Sequence, residues 1–133
     1  YLQEKKIKSI FLKVSGPFHT KFMKDAADRM ERELEKINFK NADVPIYMNF
    51  SGKKTIDKEE IKNWLLKQLY NPVRWVEIIE NMSKEVDCFV EIGPKNILKK
   101  LIESMTNIPT FNFENQKNLN ELSQFLTKGE KNV

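Results

Sequence analysis

Apolar positions along this chain change their period several times, and each change predicts a new element. Residues 7–14 carry Ile7, Ile10, Phe11, Leu12 and Val14, a mostly apolar run that predicts a strand. After the break Ser15-Gly16-Pro17, the residues Phe22, Ala26, Met30, Leu34 and Ile37 recur at helical spacing, with Met23 and Ala27 beside them. That pattern predicts a helix over residues 20–36. Residues 44–50 predict a second strand, ended by Ser51-Gly52. Asp57 then reads as an N-cap, with Glu60 three residues on, a variant of the capping box. The helix it opens carries Ile61, Trp64, Leu65 and Leu69 on one side.

Asn71-Pro72 ends that helix and predicts the next, with Asn71 as its cap and Pro72 at its first position. Val73, Val76, Ile79 and Met82 are the expected apolar face. A strand over residues 86–92 follows, closed by Gly93-Pro94, and then a helical stripe of Ile97, Leu98, Leu101, Ile102 and Met105. Residues 108–113 predict a short strand. Leu119, Leu122, Phe125 and Leu126 mark a last helix, and residues 128–133 form a polar tail. Strands alternating with helices predict an α/β architecture with a largely parallel sheet. There is no internal repeat, low-complexity tract or domain-separating linker. In such sheets ligands bind beyond the carboxyl ends of strands. Two loops fit that location, residues 15–20 and residues 93–96. Gly93-Pro94 reads either as an ordinary strand-to-helix turn or as a place where backbone approaches a ligand.

Composition narrows the classes. At 133 residues the chain fits one domain, large enough to bury a core. It begins at Tyr1, and its first ten residues read as the end of a helix running into a strand, so we expect further structure upstream. No apolar run reaches the length of a membrane span and no secretory signal pattern is present. Lys and Arg number 23 against 19 Asp and Glu, a net charge of +4. This excess favours an acidic partner, and without an Arg-rich stripe it does not point to nucleic acid. The one cysteine, Cys88, has no partner for a disulfide or a metal site and lies in an apolar run that reads as a buried strand.

The chain also has one histidine, His19, in the run Val14-Ser15-Gly16-Pro17-Phe18-His19-Thr20. Histidine exchanges protons near neutral pH, and a loop at a strand end is a common place to present a base. Taken alone, a single histidine is more often structural.

Three stretches, taken in order, change that weighting: the run around His19, Gln68-Leu69-Tyr70-Asn71-Pro72-Val73-Arg74-Trp75, and Val90-Glu91-Ile92-Gly93-Pro94-Lys95-Asn96-Ile97-Leu98. Together they resemble the C-terminal part of the malonyl-CoA:acyl-carrier-protein transacylase family, over nearly the whole chain and fading after about Met105. The resemblance implies the C-terminal part of an acyltransferase α/β core, α/β-hydrolase-like, over residues 15–127. It makes residues 1–14 the end of a small ferredoxin-like subdomain. It implies His19 as the base that takes a proton from a nucleophilic serine and returns one to the departing thiolate. The main-chain carbonyl of Gln68 would accept the bond from the other imidazole nitrogen, in place of the usual carboxylate. Phe18 matches a position used in acyl selection, where an aromatic ring crowds a 2-methyl branch. Ile97 matches one that lines the acyl and pantetheine channel.

None of the six serines sits in a Gly-x-Ser-x-Gly elbow. The only arginines, Arg29, Arg32 and Arg74, offer no clear clamp for a malonyl carboxylate. The expectation is therefore a segment that supplies the base to an N-terminal segment of the same enzyme. Malonyl-CoA and acyl carrier protein would be its partners, with no metal or other cofactor and with cytoplasmic placement. Lys95, Lys99 and Lys100 would be available to an acidic carrier. The alternative is a non-catalytic carrier-protein or protein-interaction module of the same fold. An acyltransferase domain of a polyketide synthase is a narrower rival.

Overall fold

The structure is a computed structural model that describes residues 4–7, 13–114 and 116–130, without the side chains of 116 and 128–130. The strand expected over residues 7–14 falls largely on residues 8–12, which lie outside the described residues, and so does most of the segment expected to be ferredoxin-like. Two compact units divide the chain, Tyr1–Val73 and Arg74–Val133.

The first unit is two helices and a hairpin. A 3-10 turn, Lys21–Met23, leads into α1 (Lys24–Leu34), close to the helix expected over 20–36. Its buried positions are Ala27 and Leu34, with Met30 half-buried between them; Met30 and Leu34 lie on the expected stripe, while Ala27 takes the place of the exposed Ala26. Phe22 and Ile37, at the ends of that stripe, are exposed. The expected strand over 44–50 is shorter, β1 (Ile46–Tyr47), and pairs antiparallel with β2 (Lys54–Thr55), which the pattern did not reveal. Gly52 makes the turn between them with a φ of 65°, a left-handed conformation that costs glycine little. Met48 beside the turn is buried.

Asp57 caps α2 (Lys58–Tyr70) as expected, its Oδ1 accepting from the amides of Glu59 and Glu60 at 2.9 Å each. The box closes differently, through Thr55. Thr55 Oγ1 accepts from the Asp57 amide at 3.0 Å and donates to Glu60 Oε2 at 2.5 Å. Ile61 is the buried anchor of α2, and Lys24 on α1 lies 5.2 Å from the Tyr70 ring at its far end.

The second unit alternates helix and strand: α3 (Trp75–Met82), β3 (Phe89–Ile92), α4 (Ile97–Glu103), β4 (Thr110–Phe113) and α5 (Gln116–Glu130). β3 and β4 pair in parallel, Phe89 with Thr110 through Ile92 with Phe113, and α4 is the crossover between them. Among the described residues Ile78 and Ile79 of α3, Phe89 of β3 and Ile102 of α4 are its buried apolar side chains. The Phe111 and Phe125 rings meet at 5.2 Å and seat α5 on β4.

Three expectations need correction here. Asn71 does not cap α3; it ends α2, where its Nδ2 donates to the Lys67 carbonyl at 2.8 Å. Pro72 favours the extended backbone seen at Asn71 (ψ 154°), so α3 starts only at Trp75. The buried face of α3 is then Ile78 and Ile79, while Val73 and Val76 are exposed. Cys88 is half-buried and stands just before β3 rather than inside it. Last, α5 continues to Glu130, over three residues expected in the polar tail. The architecture is α/β, and among the described residues the parallel pairing is confined to β3 and β4, the other pair being antiparallel.

Candidate active site

The last turn of a helix leaves four carbonyls without intrahelical partners. At the end of α2 two of them are taken by one residue, His19. Its backbone N–H donates to the Leu69 carbonyl at 3.0 Å, and its ring Nδ1 lies 2.8 Å from the Gln68 carbonyl oxygen. A carbonyl can only accept, so Nδ1 carries the proton and Nε2 of the neutral ring holds the free lone pair. The ring is exposed, so that lone pair is accessible to a reactant.

His19 reaches both carbonyls with a φ of 62°, left-handed backbone that is uncommon outside glycine. Conformations of this kind cost of order 1–3 kcal/mol and persist where the surroundings over-determine them. The Leu69 bond is one such restraint. Another closes the loop on itself: Thr20 Oγ1 donates to the Pro17 carbonyl at 2.7 Å, and the Met23 amide donates back to the Thr20 carbonyl at 3.0 Å. Phe18, the residue before His19, is 56 % exposed. Its ring folds over Gly16, where a methyl group would lie 3.2 Å from Phe18 Cε2. His19, Gln68 and Phe18 are thus brought together in the first unit.

Ile97 belongs to the second unit, as the first residue of α4, and is 60 % exposed. It follows the loop at the carboxyl ends of β3 and β4. Two residues that sequence reasoning passed over shape this loop. Asn112, 4 % exposed, donates from Nδ2 to the carbonyls of Gly93 (3.1 Å) and Lys95 (2.7 Å). Glu91, its register partner on β3, accepts the Leu98 amide at 3.1 Å and the Lys99 amide at 3.0 Å. The Lys99 amide foremost, then those of Leu98 and Ile97 and the Asn112 side chain, hold the Glu91 carboxyl below its ordinary 4.5, against the opposing effect of desolvation. The amino end of α4 is therefore filled by the protein's own carboxylate.

The arginines do not gather into an anion clamp. Arg29 and Arg32 are exposed on α1, and Arg74 pairs with Glu77 at 2.8 Å. Among the described residues no cluster of three or more His, Cys, Asp or Glu is placed to hold a metal ion, and no helix is long and apolar enough to cross a membrane. A pocket of about 340 Å³ in the second unit, lined by Ile79, Glu80, Ser83, Lys84, Met105 and Thr106, includes none of the residues expected in the site.

Comparison with known proteins puts this geometry in context. No family profile matches the chain. The backbone superposes on a malonyl CoA-acyl carrier protein transacylase from Clostridium perfringens with a TM-score of 0.88 and 30 % identity, over 97 % of this chain and 42 % of that one. A malonyl-transacylase solved in complex with its type II polyketide synthase acyl-carrier protein gives a TM-score of 0.76 at 35 % identity, over 81 % of this chain and 36 % of that one. The fold is thus similar to part of the α/β fold of these transacylases. In sequence, the malonyl CoA-acyl carrier protein transacylase of Bacillus subtilis is 41 % identical over 99 residues, 74 % of this chain and 31 % of that protein. The chain is homologous to the malonyl CoA-acyl carrier protein transacylases and spans about a third of the length of the curated relatives it matches.

Proposed function

We propose that this chain is the C-terminal segment of a malonyl transacylase and supplies the general base for malonyl transfer. The single observation that carries the reading is the 2.8 Å bond from His19 Nδ1 to the Gln68 carbonyl. It leaves Nε2 free to take the proton of a serine hydroxyl supplied by an N-terminal segment of the same enzyme. The serine attacks the thioester carbonyl of malonyl-CoA, and the protonated ring returns the proton to the departing CoA thiolate. In the second half His19 takes the proton of the phosphopantetheine thiol on the carrier protein. That thiolate displaces the serine, which recovers its proton from the ring.

Both half-reactions balance without an external acid or redox group, so malonyl-CoA enters as substrate and the phosphopantetheine arrives on the partner. The imidazolium formed in each half faces the negative end of the α2 dipole, which takes part of the role of a triad carboxylate. Phe18, exposed beside the base, would crowd a 2-methyl branch and favour malonyl over methylmalonyl groups. Ile97 would line the acyl and pantetheine channel. Finer features of the fold, an α/β-hydrolase-like core and a ferredoxin-like subdomain ending near residue 14, belong to the same proposal.

A companion segment is supported by the surface. Among the described residues nineteen large apolar side chains are exposed, Phe22 at 75 % and Ile92 at 80 % among them, against eight buried apolar ones. The test is His19→Ala in the complete enzyme, assayed for malonyl transfer to carrier protein. Loss of a positioned general base lowers turnover by about 10²–10⁴-fold; near-normal turnover would remove the assignment and favour a non-catalytic binding module.

A further inference from the structure

The loop 93–96 and the start of α4 are bonded by two side chains, Asn112 and Glu91. Gly93 has a φ of 142° and Lys95 a φ of 74°, two residues of positive φ in a span of three. Such a path needs outside restraint at a non-glycine position. The restraint comes from beneath, through Asn112, and from the helix side, through Glu91. These two are cross-strand partners at the carboxyl end of the parallel pair. Above the loop there is open space: nothing lies within 4 Å of where a Gly93 side chain would begin. Ile92, Ile97 and Leu98, which flank it, are 80 %, 60 % and 42 % exposed. One side of the loop is clamped by buried or backbone-bonded polar groups; the other presents bare backbone and apolar side chains where ligands of parallel sheets bind.

We infer that Asn112 and Glu91 are positioning residues for substrate binding: they hold the open Gly93–Ile97 backbone, and with it Ile97, against the pantetheine arm of the acyl donor and acceptor. This rests on the functional reading above and adds residues to it. Asn112 suits the task because one amide nitrogen donates twice, to carbonyls two residues apart, which fixes the loop's curvature. Glu91 suits it because its two oxygens take consecutive amides, which fixes where α4 begins. Neither side chain is offered as touching the reacting atoms.

A clamp for a binding surface affects ground state and transition state alike, so its loss raises KM and leaves kcat in place. The experiment is Asn112→Ala in the complete enzyme, with kcat and KM measured for malonyl-CoA. Hydrogen exchange of the Asn96 to Lys99 amides is followed in parallel. Losing two hydrogen bonds predicts a KM raised about five- to tenfold, kcat within about twofold, and faster amide exchange. A folded variant with unchanged KM overturns the proposal, as does one in which kcat falls and KM stays put. If the Asn112→Ala enzyme does not fold, Glu91→Gln keeps the shape and one acceptor and carries the same test, with a KM rise of about twofold or more expected. An unchanged KM there is equally fatal. The functional reading fails separately: a His19→Ala enzyme with normal turnover sinks the base assignment, while the KM of the Asn112 variant still reports on the loop.

Discussion

The loop that carries His19 and the loop that begins at Gly93 face the same physical problem and solve it with different materials. Each precedes a helix, and each holds a non-glycine residue at positive φ, His19 at 62° and Lys95 at 74°. The first is held at its histidine by main-chain carbonyls, those of Gln68 and Leu69 at the end of α2, with the Thr20 hydroxyl bonding back to Pro17 within the loop. The second is held by side chains, Asn112 and Glu91. A carbonyl at a helix end is available whatever residue supplies it, so the His19 loop depends on where α2 stops. The Gly93 loop depends on which residues stand at 91 and 112. One site is set by backbone geometry, the other by side-chain identity.

Substitutions separate the two. The largest effect belongs to His19 itself, whose removal takes away the base that the first loop exists to present. Next comes the helix that supplies the carbonyls. Asp57→Ala removes the N-cap of α2 and is expected to destabilise the first unit by about 0.5–2 kcal/mol, measured by denaturant unfolding. Glu91→Gln tests the second loop through pH. Bonds to the ionised carboxylate hold the folded Glu91 below 4.5, so its stabilisation is complete above about that pH and fades as pH falls through the lowered folded value. The stability difference between the native chain and Glu91→Gln should therefore be largest near neutrality and shrink in acid. A difference that grows in acid would contradict the clamp. Smallest of all is Gln68→Ala. Because only the main chain of Gln68 is used, transfer by the complete enzyme should stay within about twofold of normal. A large loss would show that the side chain matters after all.

The same contrast explains what could be read from the sequence. Local rules found Asp57 as a cap, because its bonds span two and three residues. Helical periodicity placed α1, α2, α4 and α5 within a few residues. The strand Phe89–Ile92 and its closing glycine were visible as an apolar run and a turn. Asn112 was not, because its partners lie 17 and 19 residues away and an asparagine in a short strand carries no local mark. Glu91 was placed in a strand and given no role, because its bonds reach forward seven and eight residues. At Asn71-Pro72 two rules competed: proline as a helix starter, and proline as a restriction on the residue before it. The second prevailed because the Asn71 side chain could satisfy the Lys67 carbonyl. The pairing of His19 with Gln68, 49 residues apart, came from resemblance and from nothing local.

The central claim is that main-chain geometry at the end of α2 fixes the histidine's tautomer and so makes Nε2 the basic atom. The most direct test is ¹⁵N–¹H NMR of the single histidine in this chain, at a pH where the ring is neutral. The account predicts one dominant tautomer, with the proton on Nδ1 protected by its bond to the Gln68 carbonyl and Nε2 unprotonated. A ring protonated on Nε2, or averaging freely between the two tautomers, would contradict it.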